Sequence, residues 1–345
     1  MAIPYRTRRF FKGFFTGLLV LVLFVSLGLL LWLLWLDRYV VYSQDGAKLD
    51  FSQLIQYAPG VSPVEPDPLP TVTIYDKVDP EQEAISKELA QFSGYYVTLE
   101  ALAGDFDAVA AQLATLEKGT TVLLELKDVR SYVYYTSEIA KENSKFDTTK
   151  VDELLKSLQK QGLYVIAKIP AFQEYDYILE NERERVPYGL PKAGGSGSLW
   201  LDSQGPCYWM NPTSDGTIAY LIKLITELRS LGVNEVLFSD FRFPETDKIK
   251  FEGDRMEALN KAAATLVKTC ATDTFCVSFA RAQADLQLPA GRTRLYLTGI
   301  IGADVEQAAA AATLENKAAQ LVFLTESGDT RYDDYSVLRP LSSAH

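Results

Sequence analysis

The chain has 345 residues, 48% of them hydrophobic, and a formal net charge of −11. It is long enough to bury one large core or two small ones, with the charged and aromatic content of ordinary globular proteins. Its acidity weighs against nucleic acid and anionic lipid head groups as partners, because both carry the same sign of charge.

Arg6, Arg8, Arg9 and Lys12 precede an uncharged run from Gly13 to Leu36 dominated by Leu, Val and Phe. At about 1.5 Å per residue such a run covers about 36 Å, more than the ~30 Å of a hydrocarbon layer. A cleaved signal peptide has a shorter apolar core and a small-residue cleavage site, whereas this run ends in LLWLLWLDR. An uncleaved anchor is therefore expected. Residues 1–12 read as a cytoplasmic tail and 13–36 as a single transmembrane helix in the cell membrane, with Trp32 and Trp35 at one interface and everything after Asp37 outside the cytoplasm. Removing the four tail cations leaves the exterior part at about −15.

Residues 37–57 contain YVVYSQDGAKLDF, which alternates around an Asp-Gly turn signal and predicts a membrane-proximal hairpin. Residues 58–93 then read as a stalk rich in proline and acids, APGVSPVEPDPLPTVTIYDKVDPEQ, with a lead-in helix.

The third segment, 94–345, repeats strand then helix. YYVTL (95–99) precedes a helix whose Phe106, Val109, Leu113 and Leu116 share a face, with Gly119 as its stop. TVLLEL (121–126) follows. Thr148 is a candidate cap for a helix that faces Val151, Leu154, Leu155 and Leu158 inward and stops at Gly162, before LYVIAKI (163–169). Ser214 opens the next helix, Gly232 closes it, and EVLFSD (235–240) is the fourth strand. Helix 255–269, FCVSF (275–279), RLYLTG (294–299), an Ala-rich helix around 303–317 and QLVFLT (320–325) continue the alternation. Seven near-continuous apolar strands with intervening helices predict a parallel TIM-type (β/α) barrel. YSVLRP (335–340) must supply the eighth strand, or the ring is incomplete. Cys270 and Cys276 enclose a loop short enough for a disulfide, but the end of a helix and the start of an apolar strand suit free buried thiols better.

The one histidine is His345. Imidazole-based triads and HExxH zinc sites are thereby excluded, and no cofactor is expected. GGSGS (194–198) lacks the GK[ST] ending of a phosphate loop and reads as a flexible loop. In a barrel the carboxyl ends of the strands line the pocket, which singles out Thr98, Glu100, Glu125, Lys127, Asp128, Lys168, Asp240, Arg242 and Glu326. The loop after the third strand adds Glu174, Tyr175, Asp176, Tyr177, Trp200, Tyr208 and Trp209, and aromatic faces beside carboxylates suit sugars. Glu125 reads equally well as a strand acid paired with Lys127 or Lys168. These lysines either hold a substrate carboxylate or neutralise acids in the mouth. Trp200 and Trp209 are sugar platforms or packing residues.

The ordered segments GYYVTLEAL, LLELKDVRSYVYY, GLYVIAKIPAF, GGSGSLWLD, YWMNP and LGVNEVLFSDFRFP, spanning about residues 94–244, resemble the TIM-barrel family called the putative glycosyl hydrolase domain, akin at fold level to alpha-amylase-like barrels. The resemblance implies polysaccharide or oligosaccharide as partner. It matches an Asp-x-Lys-Asp pattern to Glu125, Lys127 and Asp128, an Ala-Arg-Ile pattern with Lys168 in place of arginine, and loop motifs to Trp200 and to Trp209–Pro212, which includes Asn211. It implies Phe-Asp-Tyr-x-Arg-Phe-Pro in the fourth strand. Arg242, Phe243 and Pro244 match, but Ser239 stands at the aspartate position and Asp240 at the tyrosine position. An acid displaced by one residue faces the other way unless a bulge restores it, in which case Asp240 joins Val236 and Phe238 on the pocket side. A partner acid implied after the fifth strand is also missing: VSFARAQAD (277–285) has Arg281 there.

The expectation is a membrane-anchored extracytoplasmic glycoside hydrolase acting on a cell-wall or environmental polysaccharide. Asp240 would serve as nucleophile or base, with the second carboxyl from Glu125, Asp128, Glu174 or Glu326. The alternative is a degenerate barrel that binds glycan or a cell-envelope partner without turnover.

Overall fold

A computed structural model describes residues 40–43, 46–49, 89–186, 200–202, 205–245 and 251–341. The predicted anchor (13–36), the predicted stalk (58–82) and the GGSGS loop lie outside the described residues. Among the described residues no helix is long and apolar enough to cross a membrane. The chain divides into two units, Met1–Asp79 and Pro80–His345. In the first, Val40–Ser43 pairs antiparallel with Gly46–Leu49, in the stretch whose alternation predicts a hairpin.

In the second unit, eight strands close into a ring: β1 (Ser93–Val97), β2 (Thr121–Glu125), β3 (Tyr164–Pro170), β4 (Glu235–Ser239), β5 (Cys276–Arg281), β6 (Leu295–Thr298), β7 (Leu321–Leu324) and β8 (Ser336–Pro340). Every neighbouring pair is parallel. Closure is made by β8 on β1, from Val337 opposite Ser93 to Pro340 opposite Tyr96. The last candidate segment thus completes the barrel. Parallel neighbours need a crossover rather than a tight turn. The helices that provide it include α1 (Leu99–Gly104), α2 (Phe106–Ala114), α3 (Thr148–Gln161), α4 (Asp215–Ser230), α5 (Arg255–Cys270), α6 (Val305–Ala311) and α7 (Lys317–Gln320).

Strand alternation sorts the apolar side chains into two cores. Leu123, Ile166, Leu237, Ala280, Tyr296, Val322 and Leu338 fill the barrel interior. Val122, Leu124, Val236, Phe238, Val277, Phe279 and Phe323 face outward and pack with helix residues such as Leu113, Leu158, Leu228 and Leu266. Val236 and Phe238 are therefore on the helix side and not, as expected, on the pocket side.

Local polar chemistry shifts some predicted helix starts. Asp147, not Thr148, caps α3 by accepting from the Thr149 N–H, because the Thr148 hydroxyl donates to Glu142 Oε2 at 2.6 Å. Ser214 precedes α4, but its hydroxyl is engaged by the Glu184 carboxylate, which itself accepts from the Thr217 N–H at 3.0 Å and so caps the helix from outside. The Ala-rich stretch divides into α6 and α7. Gly162 and Gly232 adopt φ of 79° and 91°, the left-handed region that closes a helix without a Cβ clash, whereas α2 is already capped at Thr115, so Gly119, at φ 88°, is not its stop but lies in the turn before β2. Cys270 and Cys276 are free and buried.

The barrel floor is polar. Glu235, fully buried at the start of β4, accepts from Tyr296 Oη at 2.7 Å, Tyr164 Oη at 3.0 Å and Arg294 Nη1 at 2.5 Å. The guanidinium also donates to the Ala319 carbonyl at 3.1 Å and lies over the Phe92 ring at 4.9 Å. Removing one member of such a pair strands the other charge away from water. Glu235→Ala is expected to lower unfolding stability by about 3 to 5 kcal/mol in a denaturant titration; a loss under about 1 kcal/mol would show that the network is dispensable.

Candidate active site

At the opposite end, β2 and β4 finish in the polar residues Glu125 and Ser239, and β3 carries Lys168 two residues before its last, Pro170. Glu125 is the last residue of β2 and pairs in register with Lys168 on β3. Its Oε1 receives the Lys168 Nζ at 2.5 Å and its Oε2 the Leu99 N–H, at the start of α1, at 2.8 Å. Both carboxylate oxygens are thereby oriented. Three residues on, Asp128 heads a tight turn in which its Oδ1 accepts from the N–H groups of Arg130 and Tyr132, each at 2.9 Å. Burial raises the Asp128 carboxyl from its ordinary value, although the hydrogen bonds from those two N–H groups and the charges of Lys127 and Arg130 act in the other direction.

Asp240 follows β4 with φ of 51°, a left-handed conformation that among non-glycine residues favours Asp and Asn. The reason lies beside it. Phe241 is fully buried, packed on Phe279 at 4.4 Å and Phe172 at 4.9 Å between ring centroids. Phe238 also faces the outer core, so an unbroken strand would carry Phe241 inward. The turn at Asp240, closed by the Arg242 N–H donating to the Asp240 carbonyl at 2.8 Å, breaks the alternation and keeps both rings outside. Ser239 retains the inward register position, and Asp240 lines the mouth.

Two adjoining cavities open there. One of about 430 Å³ is lined by Glu100, Glu125, Asp128, Lys168, Ser239 and Asp240 among others. The other, about 660 Å³, shares Lys168, Ser239 and Asp240 and extends over Arg242, Arg255 and Arg281. Arg242 lies over the Trp209 ring at 4.9 Å and reaches Asp240 at 3.6 Å. Arg281, where the resemblance implies an acid, holds Asp285 through Nε at 2.9 Å and Nη2 at 2.5 Å and donates to the Phe241 carbonyl at 2.7 Å. It braces the loop that carries Asp240.

Several expected binding residues are engaged elsewhere. Lys127 and Glu174 form an ion pair at 2.7 Å with side chains 0% and 1% exposed, and Glu174 also accepts from Tyr220 Oη at 3.0 Å and from the Ser131 hydroxyl. This pair ties the loop after β2 to the loop after β3 and to α4; it is not available to a substrate. Trp209 is fully buried under Arg242, so it supports that guanidinium and offers no sugar platform. Tyr175 stacks on Tyr208 at 5.5 Å. Asn211 Oδ1 accepts from the Thr213 N–H and hydroxyl in a local turn. Trp200 lies in the strand Trp200–Asp202, and its side chain is outside the described residues. Glu326 is exposed after β7. Tyr96, not singled out from sequence, belongs with the site: burial, then the charges of Glu326 and Glu125, raise its phenol, which keeps it a hydrogen-bond donor beside the two acids. Counting alternate residues along β1 from Gly94 would have placed it on the inner face.

Residues 94–280 match the family described as putative glycosyl hydrolase domain. No curated protein matches the chain in sequence. Among solved structures, the chain is similar to a hypothetical protein from Ruminiclostridium thermocellum, with 21% identity over 59% of this chain and 96% of the other and a TM-score of 0.42. It is also similar to the glycoside hydrolase domain of PelA from Pseudomonas aeruginosa (14% identity, 74% and 96% covered, TM-score 0.45). A third is a GH20 exo beta-N-acetylglucosaminidase from Vibrio harveyi (10% identity, 69% and 42% covered, TM-score 0.48).

The two lysines are expected to separate in mutants. Lys127→Met, which leaves Glu174 buried alone, should cost about 3 to 5 kcal/mol, whereas Lys168→Met, at a partly open pair, should cost about 1 kcal/mol. Thermal unfolding of the two variants side by side measures this, and equal losses would contradict the assignment of one lysine to structure and the other to the mouth.

Proposed function

The chain belongs to the putative glycosyl hydrolase domain family, and we propose that it is a membrane-anchored, extracytoplasmic glycoside hydrolase that cleaves a cell-wall or environmental polysaccharide by carboxylate chemistry. The observation that carries the proposal is the meeting of Asp128, Glu125 and Asp240 at one opening, at and beyond the ends of β2 and β4, the two strands that flank β3. Glycoside cleavage requires one carboxyl group that donates a proton to the leaving oxygen and a second that acts as base or nucleophile. Asp128, raised by burial, is suited to the first task. Asp240, fixed by the left-handed turn, takes the second. Glu125 has its oxygens on Lys168 and the Leu99 N–H, so it orients substrate hydroxyls together with Tyr96. The basic tail and the apolar run at 13–36 support the anchor and its orientation.

One observation favours a second reading. Arg281 occupies the end of β5 and is committed to Asp285 and the Phe241 carbonyl, so a carboxyl from that strand does not reach the mouth. A barrel that holds glycan without turnover would fit this.

Release of reducing ends from purified wall polysaccharides distinguishes the two. Asp240→Asn retains a residue that tolerates the left-handed turn, so its effect reports the charge; activity is expected to fall at least about 100-fold. Wild-type activity in this variant would remove Asp240 from catalysis, and glycan binding with no release by the wild type would establish the second reading. The pH profile offers a further check. An acid must be protonated to act, so activity should decline as pH rises through the elevated Asp128 value, and Asp128→Asn should lower activity and abolish that decline.

A further inference from the structure

Beyond β2 the chain folds back on itself as a small hairpin. The Tyr134 N–H donates to the Leu126 carbonyl at 2.9 Å, Lys127 bridges Val133 antiparallel, and the Asp128 N–H donates to the Tyr132 carbonyl at 3.0 Å. Val129, Arg130 and Ser131 are thus its loop. A three-residue hairpin loop commonly closes on a residue in the left-handed conformation, for which glycine is the favoured choice. Here that residue is Ser131, at φ 83° and 2% exposed. A side chain stands where the backbone alone would prefer none.

The hydroxyl accounts for the serine. Its Oγ accepts from the N–H groups of Tyr175 at 2.9 Å and Asp176 at 2.7 Å, and its own proton goes to Glu174 Oε1. The other oxygen of the same carboxylate, Oε2, receives Lys127 Nζ at 2.7 Å. One buried acid from the loop after β3 therefore holds the residue before Asp128 and the residue three after it, and the turn between them moves only if these bonds break. Within that turn both N–H bonds fall on Asp128 Oδ1, so the proton of the neutral acid sits on Oδ2. We propose that Ser131 is a positioning residue for the acid Asp128, acting through a hydroxyl that fastens the hairpin to the loop after β3. This rests on the glycoside hydrolase reading and adds to it a residue that touches no substrate.

Backbone and hydroxyl make opposite demands on position 131, and substitution separates them. Ser131→Gly suits the left-handed turn but removes the hydroxyl. Ser137→Gly is the matched control: the Ser137 hydroxyl likewise donates to a glutamate, Glu227 Oε2 at 2.7 Å, and accepts from two N–H groups, Ile139 at 3.1 Å and Ala140 at 2.9 Å, but Ser137 lines neither cavity. On the purified wall polysaccharide that the wild type cleaves fastest, Ser131→Gly in the full chain is expected to lower kcat about 10- to 100-fold with KM changed less than about twofold. Its decline in activity with rising pH should also begin at lower pH, because a loosened turn returns Asp128 to solvent and removes the burial that raises it. Ser137→Gly should leave kcat and that decline in place. A wild-type kcat and pH profile in Ser131→Gly, or equal changes in both variants, would overturn the proposal. Hydrogen exchange read residue by residue needs no turnover: Ser131→Gly should speed exchange at Arg130 and Tyr132, and Ser137→Gly should not. In the wild type the Tyr175 and Asp176 N–H groups should exchange at least about 100-fold more slowly than in an open chain; open-chain rates there would overturn the proposal even if Ser131→Gly fails to fold. No release of reducing ends by a wild type with this exchange pattern would remove the hydrolase reading and leave the hold of Ser131 on Asp128 established.

Discussion

Two phenylalanines on the same side of one strand end determine the geometry of the mouth. Phe238 and Phe241 are both buried in the core outside the barrel, yet three positions along a regular strand should place them on opposite faces. The chain resolves the conflict at Asp240, the one residue between Ser239 and Phe241, by turning through φ of 51°. Burial of an aromatic ring is worth a few kcal/mol, more than the ~1 kcal/mol or so that a left-handed Asp costs. The core thus holds the carboxylate in place, and Arg281 reinforces it by binding the Phe241 carbonyl from β5. Everything inferred about the site depends on this turn, because it borders both cavities.

Around it, charge is divided by depth. Buried pairs are structural: Glu235 with Arg294 on the floor, Lys127 with Glu174 between the loops. Partly open pairs line the mouth: Glu125 with Lys168, and Arg242 with Asp240. The same residue types serve both ends of the barrel. Solvent access decides which of them can exchange a protein partner for a ligand.

Most of the barrel was legible in the sequence because each unit states its own boundaries: an apolar run short enough for a strand, then a helix stripe closed by a glycine such as Gly162. The rim residues Glu125, Lys168 and Asp240 followed from the rule that pockets form at the carboxyl ends of strands. What was not legible depends on partners distant in the chain. Lys127 reads as a mouth lysine until Glu174 and Tyr220 are seen around it. Trp209 reads as a platform until Arg242 covers it. Asp240 was ambiguous for a related reason, since strand alternation alone sends it outward and only the packing of Phe241 against Phe172 and Phe279 brings it back.

The backbone torsion of Asp240 in a crystal structure with an oligosaccharide bound tests this account most directly. A φ near +50°, Phe241 packed against Phe279 and the Asp240 carboxylate beside the sugar at the strand ends is the predicted result. An extended Asp240 whose side chain lies against the outer helices would contradict it.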